Sequence, residues 1–194
     1  MAETNQEQLL TSLTSFLKKN KIPFMLTGAW SVIYYARPRA SHDIDLVVEL
    51  KEKEIPRILK VFKKLSSKYL VQLDDIKDAI EKKDMFNIIH LPTMLKIDFW
   101  LLKDDLFDKE RFSRRKKVKL LGQSMWIASA EDAILKKLEW YKMSKLEKHL
   151  IDAAFVYQIQ EKNLDNNYLK KWVNKMKLRG LFNKLAKIDL GEYL

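Results

Sequence analysis

The chain has 194 residues, 47% of them apolar and including nine Phe, seven Tyr and five Trp, enough for one substantial domain or a core domain with a helical appendage. It has no cysteine, which excludes disulfides and thiolate metal sites, and no apolar run near the roughly 18 residues of a membrane span; its opening "MAETNQEQLL" lacks the features of a secretory signal, so a cytoplasmic protein is expected. Against 26 acidic residues stand 37 basic ones, and the net charge of +11 favours polyanionic partners such as nucleic acid or nucleotide phosphates, although scattered surface lysine is the plainer reading of the same excess.

Only four glycines are present, so loops should be short, and no internal repeat is visible. Residues 4–20 read as a helix: Thr4 with Glu7 makes a capping box, and Leu9, Leu10, Leu13, Phe16 and Leu17 share a face. "IPFMLTG" reads as a short strand turning at Gly28, and "AWSVIYYA" as a short helix stopped before Pro38. "DIDLVVEL" alternates and is β-branched, hence a strand. A helix follows in "KEIPRILKVFKKL", with Pro56 in its first turn, and another over about 74–83. "MFNIIHL" and "KIDFWLL", joined by "PTML", read as a hairpin. From about residue 121 the pattern turns helical. "SAEDAILKKLEWY" opens on Ser129 with Asp132, "SKLEKHLIDAAFVYQIQ" on Ser144 with Glu147, and "NNYLKKWVNKMKL" completes the region. The expected organisation is an α+β (α/β) part over 1–120, a mixed sheet flanked by helices, and a helical C-terminal region over 121–194 that closes a cleft.

The chemistry concentrates in the carboxylates. Residues two apart on a strand share a face, so Asp43 and Asp45 stand side by side while Ile44, Leu46 and Val48 point into a core. Paired carboxylates repel unless a cation lies between them, and a hard divalent ion, Mg²⁺ or Mn²⁺, suits oxygen ligands. Asp98 interrupts the apolar strand of Ile97, Phe99 and Leu101 on the opposite face from those three, and a lone buried Asp needs a partner. If that strand lies beside the Asp43 strand, three carboxylates converge as in a two-metal phosphoryl- or nucleotidyl-transfer site. Asp-x-Asp alone is a common coincidence. Haloacid-dehalogenase phosphatases and glycosyltransferases also use it, but after an apolar run; here the apolar run follows.

Gly28 ends a strand and precedes a helix whose first amides would bind phosphate. "LTGA", thirteen residues, "DIDL" and the later "KIDFW" together resemble the nucleotidyltransferase superfamily typified by DNA polymerase β. "RPRASHDIDLVV", "MFNIIHLPTMLKIDFWLL", "RFSRR" and "SAEDAILKKLEWY" resemble its branch of minimal nucleotidyltransferases and AbiEii-type toxins, and the likeness spans about residues 22–155. The resemblance implies that Asp43 and Asp45 hold Mg²⁺ and the triphosphate of an NTP, that Asp98 holds the metal nearer the acceptor and helps deprotonate its hydroxyl, and that Gly28 with the following amides binds the β- and γ-phosphates. The family's second Gly or Ser is Ala29 here, which keeps the backbone donor and loses the hydroxyl; Ser31 is the candidate to supply it.

Arg37 and Arg39 read either as cations for the triphosphate or as salt-bridge partners of a carboxylate. The resemblance marks Lys137 as a nucleotide-phosphate contact and Asp152 as a base or as the group orienting Lys137; as sequence alone, both are ordinary helix polarity. His42 and His149 are candidates by proximity only, without metal-site spacing. "KERFSRRKKVK", with seven basic residues and one acidic, reads as an RNA-tracking segment or a lysine-guarded edge strand, and Lys170, Lys171, Lys175, Lys177 and Arg179 would extend a basic face. The expected activity is Mg²⁺-dependent transfer of a nucleoside monophosphate from an NTP to an acceptor hydroxyl on an RNA end, a small molecule or a protein. The alternative is a non-catalytic nucleotide- or RNA-binding protein, for example one working with a cognate antitoxin.

Overall fold

The computed structural model describes residues 6–41, 43–65 and 67–193. Thr4 with its expected cap, and His42, lie outside the described residues. In chain order the elements are α1 (Gln6–Lys19), β1 (Phe24–Leu26), α2 (Gly28–Tyr35), β2 (Asp43–Val48), α3 (Ile55–Lys63), β3 (Tyr69–Leu70), α4 (Leu73–Lys82), β4 (Met85–His90) and β5 (Leu95–Leu101). They continue with α5 (Leu106–Ser113), β6 (Lys116–Leu120), β7 (Gln123–Ile127), α6 (Ala130–Ser144), α7 (Glu147–Gln160), α8 (Asn166–Lys175) and a short α9 (Arg179–Phe182). No helix among the described residues is long and apolar enough to cross a membrane.

The chain forms two units. One comprises the described residues through Ala29 together with Ala40–Ile127; the other comprises Trp30–Arg39 and the chain from Ala128 onward. The first unit holds a seven-stranded mixed sheet in the order β3-β4-β5-β2-β1-β7-β6. β2 and β5 run parallel, as do β1 and β7, and the other neighbours are antiparallel. The expected hairpin of β4 and β5 is present, and β5 lies beside β2.

One face of this sheet is apolar because the strands alternate. Ile44, Leu46 and Val48 of β2 align with Ile97, Phe99 and Leu101 of β5, and Phe86 and Ile88 of β4 extend the surface. Phe62 of α3 fills the layer above it, edge-on to Phe86 at 5.4 Å, to Phe99 at 5.5 Å and to Phe16 of α1 at 5.9 Å. Its α3 neighbour Ile58 and the α1 residues Leu9, Leu10, Leu13 and Leu17 are buried with it.

β6 realises the edge-strand reading of the basic run over its last residues only, while α5, which takes the run's first part, and β7 are additions to the expected elements. Leu121 and Gly122 link the two strands with φ of 50° and 75°, the paired positive angles of a type I′ turn. β6 lies at the end of the sheet and exposes Lys116, Lys117 and Lys119, the arrangement of a lysine-guarded edge. Elsewhere in the same basic run, Arg111 is buried against Asp108 at 2.7 Å, and the Arg115 guanidinium stacks 4.1 Å from the Phe112 ring and 4.9 Å from that of Trp126.

In the second unit α6 and α7 pack as a pair with α8 against α6. Ser129 caps α6 as expected, its Oγ accepting from the Asp132 amide at 3.2 Å and donating to the Asp132 carboxylate at 2.8 Å. The cap expected from Ser144 and Glu147 is absent. Ser144 is the last residue of α6 and donates to the Trp140 carbonyl, Lys145 turns left-handed at φ 59°, and Leu146 precedes α7 without a side-chain cap. Asp165, which does cap α8, had no place in the sequence reading.

Truncation of Phe62 tests the apolar layer. Phe62→Ala is expected to lower unfolding free energy by about 3–5 kcal/mol, read as a shifted denaturant midpoint, because it removes a ring packed edge-on against three others.

Candidate functional site

The polar face of the sheet carries the carboxylates. Asp43, Asp45 and Val47 point away from the apolar layer, and the parallel register sets Asp45 directly opposite Asp98 and Asp43 opposite Lys96. Asn87 of β4 lies across from Asp98 on its other side, so Asn87, Asp98 and Asp45 form one row over three strands. Asp43 and Asp45 are half-buried; Asp98 is only 6% exposed.

Lys96 is the member of this face that sequence reasoning missed. Its ammonium sits 3.0 Å from Asp98 Oδ2. The signal was available, since Lys96 is two residues from Asp98 on the same strand and must share its face. Asp98 Oδ1 is buried and has no hydrogen-bond partner. Burial raises the Asp98 pKa above the usual carboxylate range, and Asp43 adds to the rise, while Lys96 opposes it. Lys96 is in turn raised by its bond to Asp98, with further attraction from Asp43 and Asp45.

Among the described residues no three His, Asp or Glu side chains close into a finished metal cage. The expected convergence therefore takes a partial form, with Asp98 turned toward an ammonium. The donors still fit a hard divalent ion. They are all oxygen, one of them is buried without a partner, and Mg²⁺ commonly takes one or two carboxylates and completes its shell with water and phosphate oxygens.

Gly28 belongs to the same face for a steric reason. Its φ is +62°, and a Cβ placed on it would lie 2.0 Å from Asp45 Oδ2 and 2.6 Å from Asp45 Cγ. The Thr27 amide also donates to the Asp45 carbonyl at 3.0 Å. The glycine thus lets its own backbone lie against the Asp45 carboxylate. Ala29 follows it and is buried.

The remaining candidates lie in the second unit. Ser31 is buried within α2. Arg39 Nη2 and Lys137 Nζ both reach Asp152 Oδ2, at 2.9 and 2.7 Å, and Asp152 is 2% exposed. A single buried carboxylate therefore joins positions 113 and 15 residues distant in sequence, in the salt-bridge arrangement that was one reading of Arg39. Arg37 lies over the Phe155 ring at 3.8 Å and donates to the Tyr193 carbonyl. Arg37, Arg39, Lys148 and Tyr193 help line an open pocket of about 280 Å³ with Asp152 at its wall. His149 stacks on Trp140 with ring centroids 6.3 Å apart, and its Nδ1 is buried without a hydrogen-bond partner. Its pKa falls to about 4, first through burial and then through the nearby cations of Lys137, Lys148 and Arg39, with Asp152 opposing.

No protein-family model matches the chain, and no curated protein matches its sequence. Solved structures do share its fold. The antibiotic-resistance factor ANT(2'')-Ia superposes with a TM-score of 0.59 at 13% identity, over 94% of this chain and 96% of that one. An antigenic nucleotidyltransferase-like protein from Paracoccidioides brasiliensis gives 0.55 at 12% identity, over 92% and 91%. The lincosamide antibiotic adenylyltransferase LnuA gives 0.52 at 10% identity, over 78% and 98%. The chain therefore has a nucleotidyltransferase-like fold, the class expected from its sequence, and its structural neighbours are nucleotidyltransferases.

Gly28→Ala is expected to cost at least about 2 kcal/mol, from the left-handed backbone and the collision with Asp45 together. The same substitution made in an Asp45→Ala background should cost measurably less, and equal costs in a double-mutant cycle by denaturant unfolding would refute the contact. A second expectation concerns acid. The folded His149 pKa lies below the unfolded value of 6.5, so the unfolded chain binds a proton first as pH falls. Stability from this residue is complete above 6.5 and is lost as pH drops toward 4; in His149→Gln, unfolding midpoints measured across that window should decline less steeply than in wild type.

Proposed function

We propose that the chain is a divalent-metal-dependent nucleotidyltransferase, moving a nucleoside monophosphate from an NTP to an acceptor hydroxyl. The observation that carries this reading is the pairing of Asp45 with Asp98 across parallel strands, with Asp98 Oδ1 buried and unpartnered beside them.

In this reading Asp43, Asp45 and Asp98 would hold Mg²⁺ or Mn²⁺ together with the triphosphate. The bound cations would neutralise charge on the triphosphate and the departing pyrophosphate. Asp98 accepts the proton of the acceptor hydroxyl, a role that its burial-raised proton affinity suits. The acceptor oxygen bonds to the α-phosphorus, and the bond from that phosphorus to the bridging oxygen of pyrophosphate breaks. The amides of Gly28 and Ala29 take phosphate oxygens at the start of α2. Within the helical unit, Asp152 orients Arg39 and Lys137, which with Arg37 and Ser31 are that unit's proposed phosphate-binding groups.

Two observations bear on the acceptor, and they point to different classes. ANT(2'')-Ia is known in complex with adenylyl-2''-tobramycin, and LnuA with lincomycin, which supports a small hydroxylated acceptor. A net charge of +11 disfavours a polycationic aminoglycoside at long range and favours an anionic acceptor such as an RNA end. A catalytically silent nucleotide- or RNA-binding protein, paired with an antitoxin, is the competing reading; Ala29 in place of a hydroxyl-bearing residue is what favours it.

Calorimetric titration with each of the four NTPs in Mg²⁺ tests the site. Binding should require the metal, and Asp43→Asn/Asp45→Asn should weaken it about a hundredfold or more. Transfer of labelled nucleoside monophosphate to RNA or to small-molecule acceptors then separates catalysis from silent binding. Nucleotide binding unchanged in the double variant would sink the catalytic assignment.

A further inference from the structure

We propose that Lys96 is an internal counter-ion of the carboxylate face, holding it together in the metal-free protein and giving way when a divalent cation enters. This rests on the reading of Asp43, Asp45 and Asp98 as the metal-binding carboxylates. Three observations place Lys96 in this role. The β2–β5 register sets it opposite Asp43 and one step from the Asp45–Asp98 pair, on the same face as all three carboxylates. Its Nζ bonds Asp98 Oδ2 at 3.0 Å while Asp98 Oδ1, buried and without a partner, is left to other company. Its side chain is 44% exposed against 8% for that of Asp98, so the ammonium reaches the carboxylates from solvent and can leave without repacking the sheet.

The consequence is selective entry. A lone divalent ion must displace a cation already bonded to its ligand, so it binds weakly. A divalent ion arriving with a triphosphate brings anionic oxygens that offer the displaced ammonium a new partner. Metal and nucleotide are thereby made to bind together, and the positive coupling between them resides in Lys96. No change in the protonation of Lys96 is involved; the contest is between two cations for the same oxygens.

The test uses Mn²⁺ as probe, titrated against the full chain by water-proton relaxation, first without nucleotide and then with ATP. Lys96→Met and Lys96→Gln remove the ammonium with and without a polar end group, so that one of the two remains informative if the other folds poorly. Lys116→Met on the exposed edge strand removes the same charge elsewhere. Both Lys96 variants should bind Mn²⁺ alone about tenfold more tightly than wild type, and the gain that ATP confers on Mn²⁺ affinity should shrink by a similar factor; Lys116→Met should match wild type. Unchanged Mn²⁺ affinity in the Lys96 variants, with Mn²⁺–ATP binding intact, would overturn the counter-ion role and leave the nucleotidyltransferase reading standing. An equal gain in Lys116→Met would overturn it by reducing the effect to net charge. Failure of every protein to bind Mn²⁺, with or without ATP, would overturn both.

Discussion

The register between β2 and β5 is the constraint on which the rest of this unit depends. Because side chains alternate along a strand, a slip by one residue would turn Asp98 into the layer occupied by Phe62, Phe86 and Phe99 and bring Phe99 out in its place. An ionised carboxylate has no counterpart there, and its desolvation would cost several kcal/mol or more. The apolar face therefore selects one pairing, and that pairing aligns Asp45 with Asp98 and Asp43 with Lys96. The arrangement of charge follows from the packing of hydrocarbon on the opposite side. α3, β3, α4 and β4 lie between the two strands in sequence and provide the crossover that a parallel pair requires.

Gly28 and Asp45 show the same economy on a smaller scale. A missing side chain on one residue makes room for the carboxylate of another, and the amide of Thr27 ties the loop to the Asp45 strand. In the helical unit the comparable knot is Asp152, where two cations converge on one oxygen. Each is a close contact between residues brought together by the fold from different elements, and each involves a residue that the sequence motifs had picked out.

What could be read from the sequence depended on whether a signal was local. Asp43 and Asp45 were legible because polar and apolar residues alternate from Asp43 through Leu46, and Asp98 because it interrupts an apolar strand. Lys96 carried the same period-two signal and was passed over, since a lysine beside a turn looks like ordinary surface. The edge strand in the basic run was one of two readings, but its pairing with β7 as a hairpin was not legible. "KKVKL" has lysines where a central strand would have apolar residues, and its turn uses Leu121-Gly122 in place of the more familiar Asn-Gly. Ser144 misled because its spacing to Glu147 is that of a capping box, whereas the left-handed Lys145 between them ends one helix before the next begins. The joining of Arg39, Lys137 and Asp152 has no local signature, and sequence alone left both a bound and a solvated reading open.

The two cations on Asp152 do not stand in a symmetrical relation to it. If either Arg39 or Lys137 became neutral, the carboxylate would keep one counter-charge; if Asp152 became neutral first, Lys137, itself only 7% exposed, and Arg39 would both lose the carboxylate oxygen that they share. Substitutions at these three positions are therefore ordered in time. A drifting lineage can shed one base and later the acid, but the reverse sequence passes through an intermediate that keeps two like charges side by side, one of them on a buried lysine. History at this cluster runs more easily in one direction than in the other.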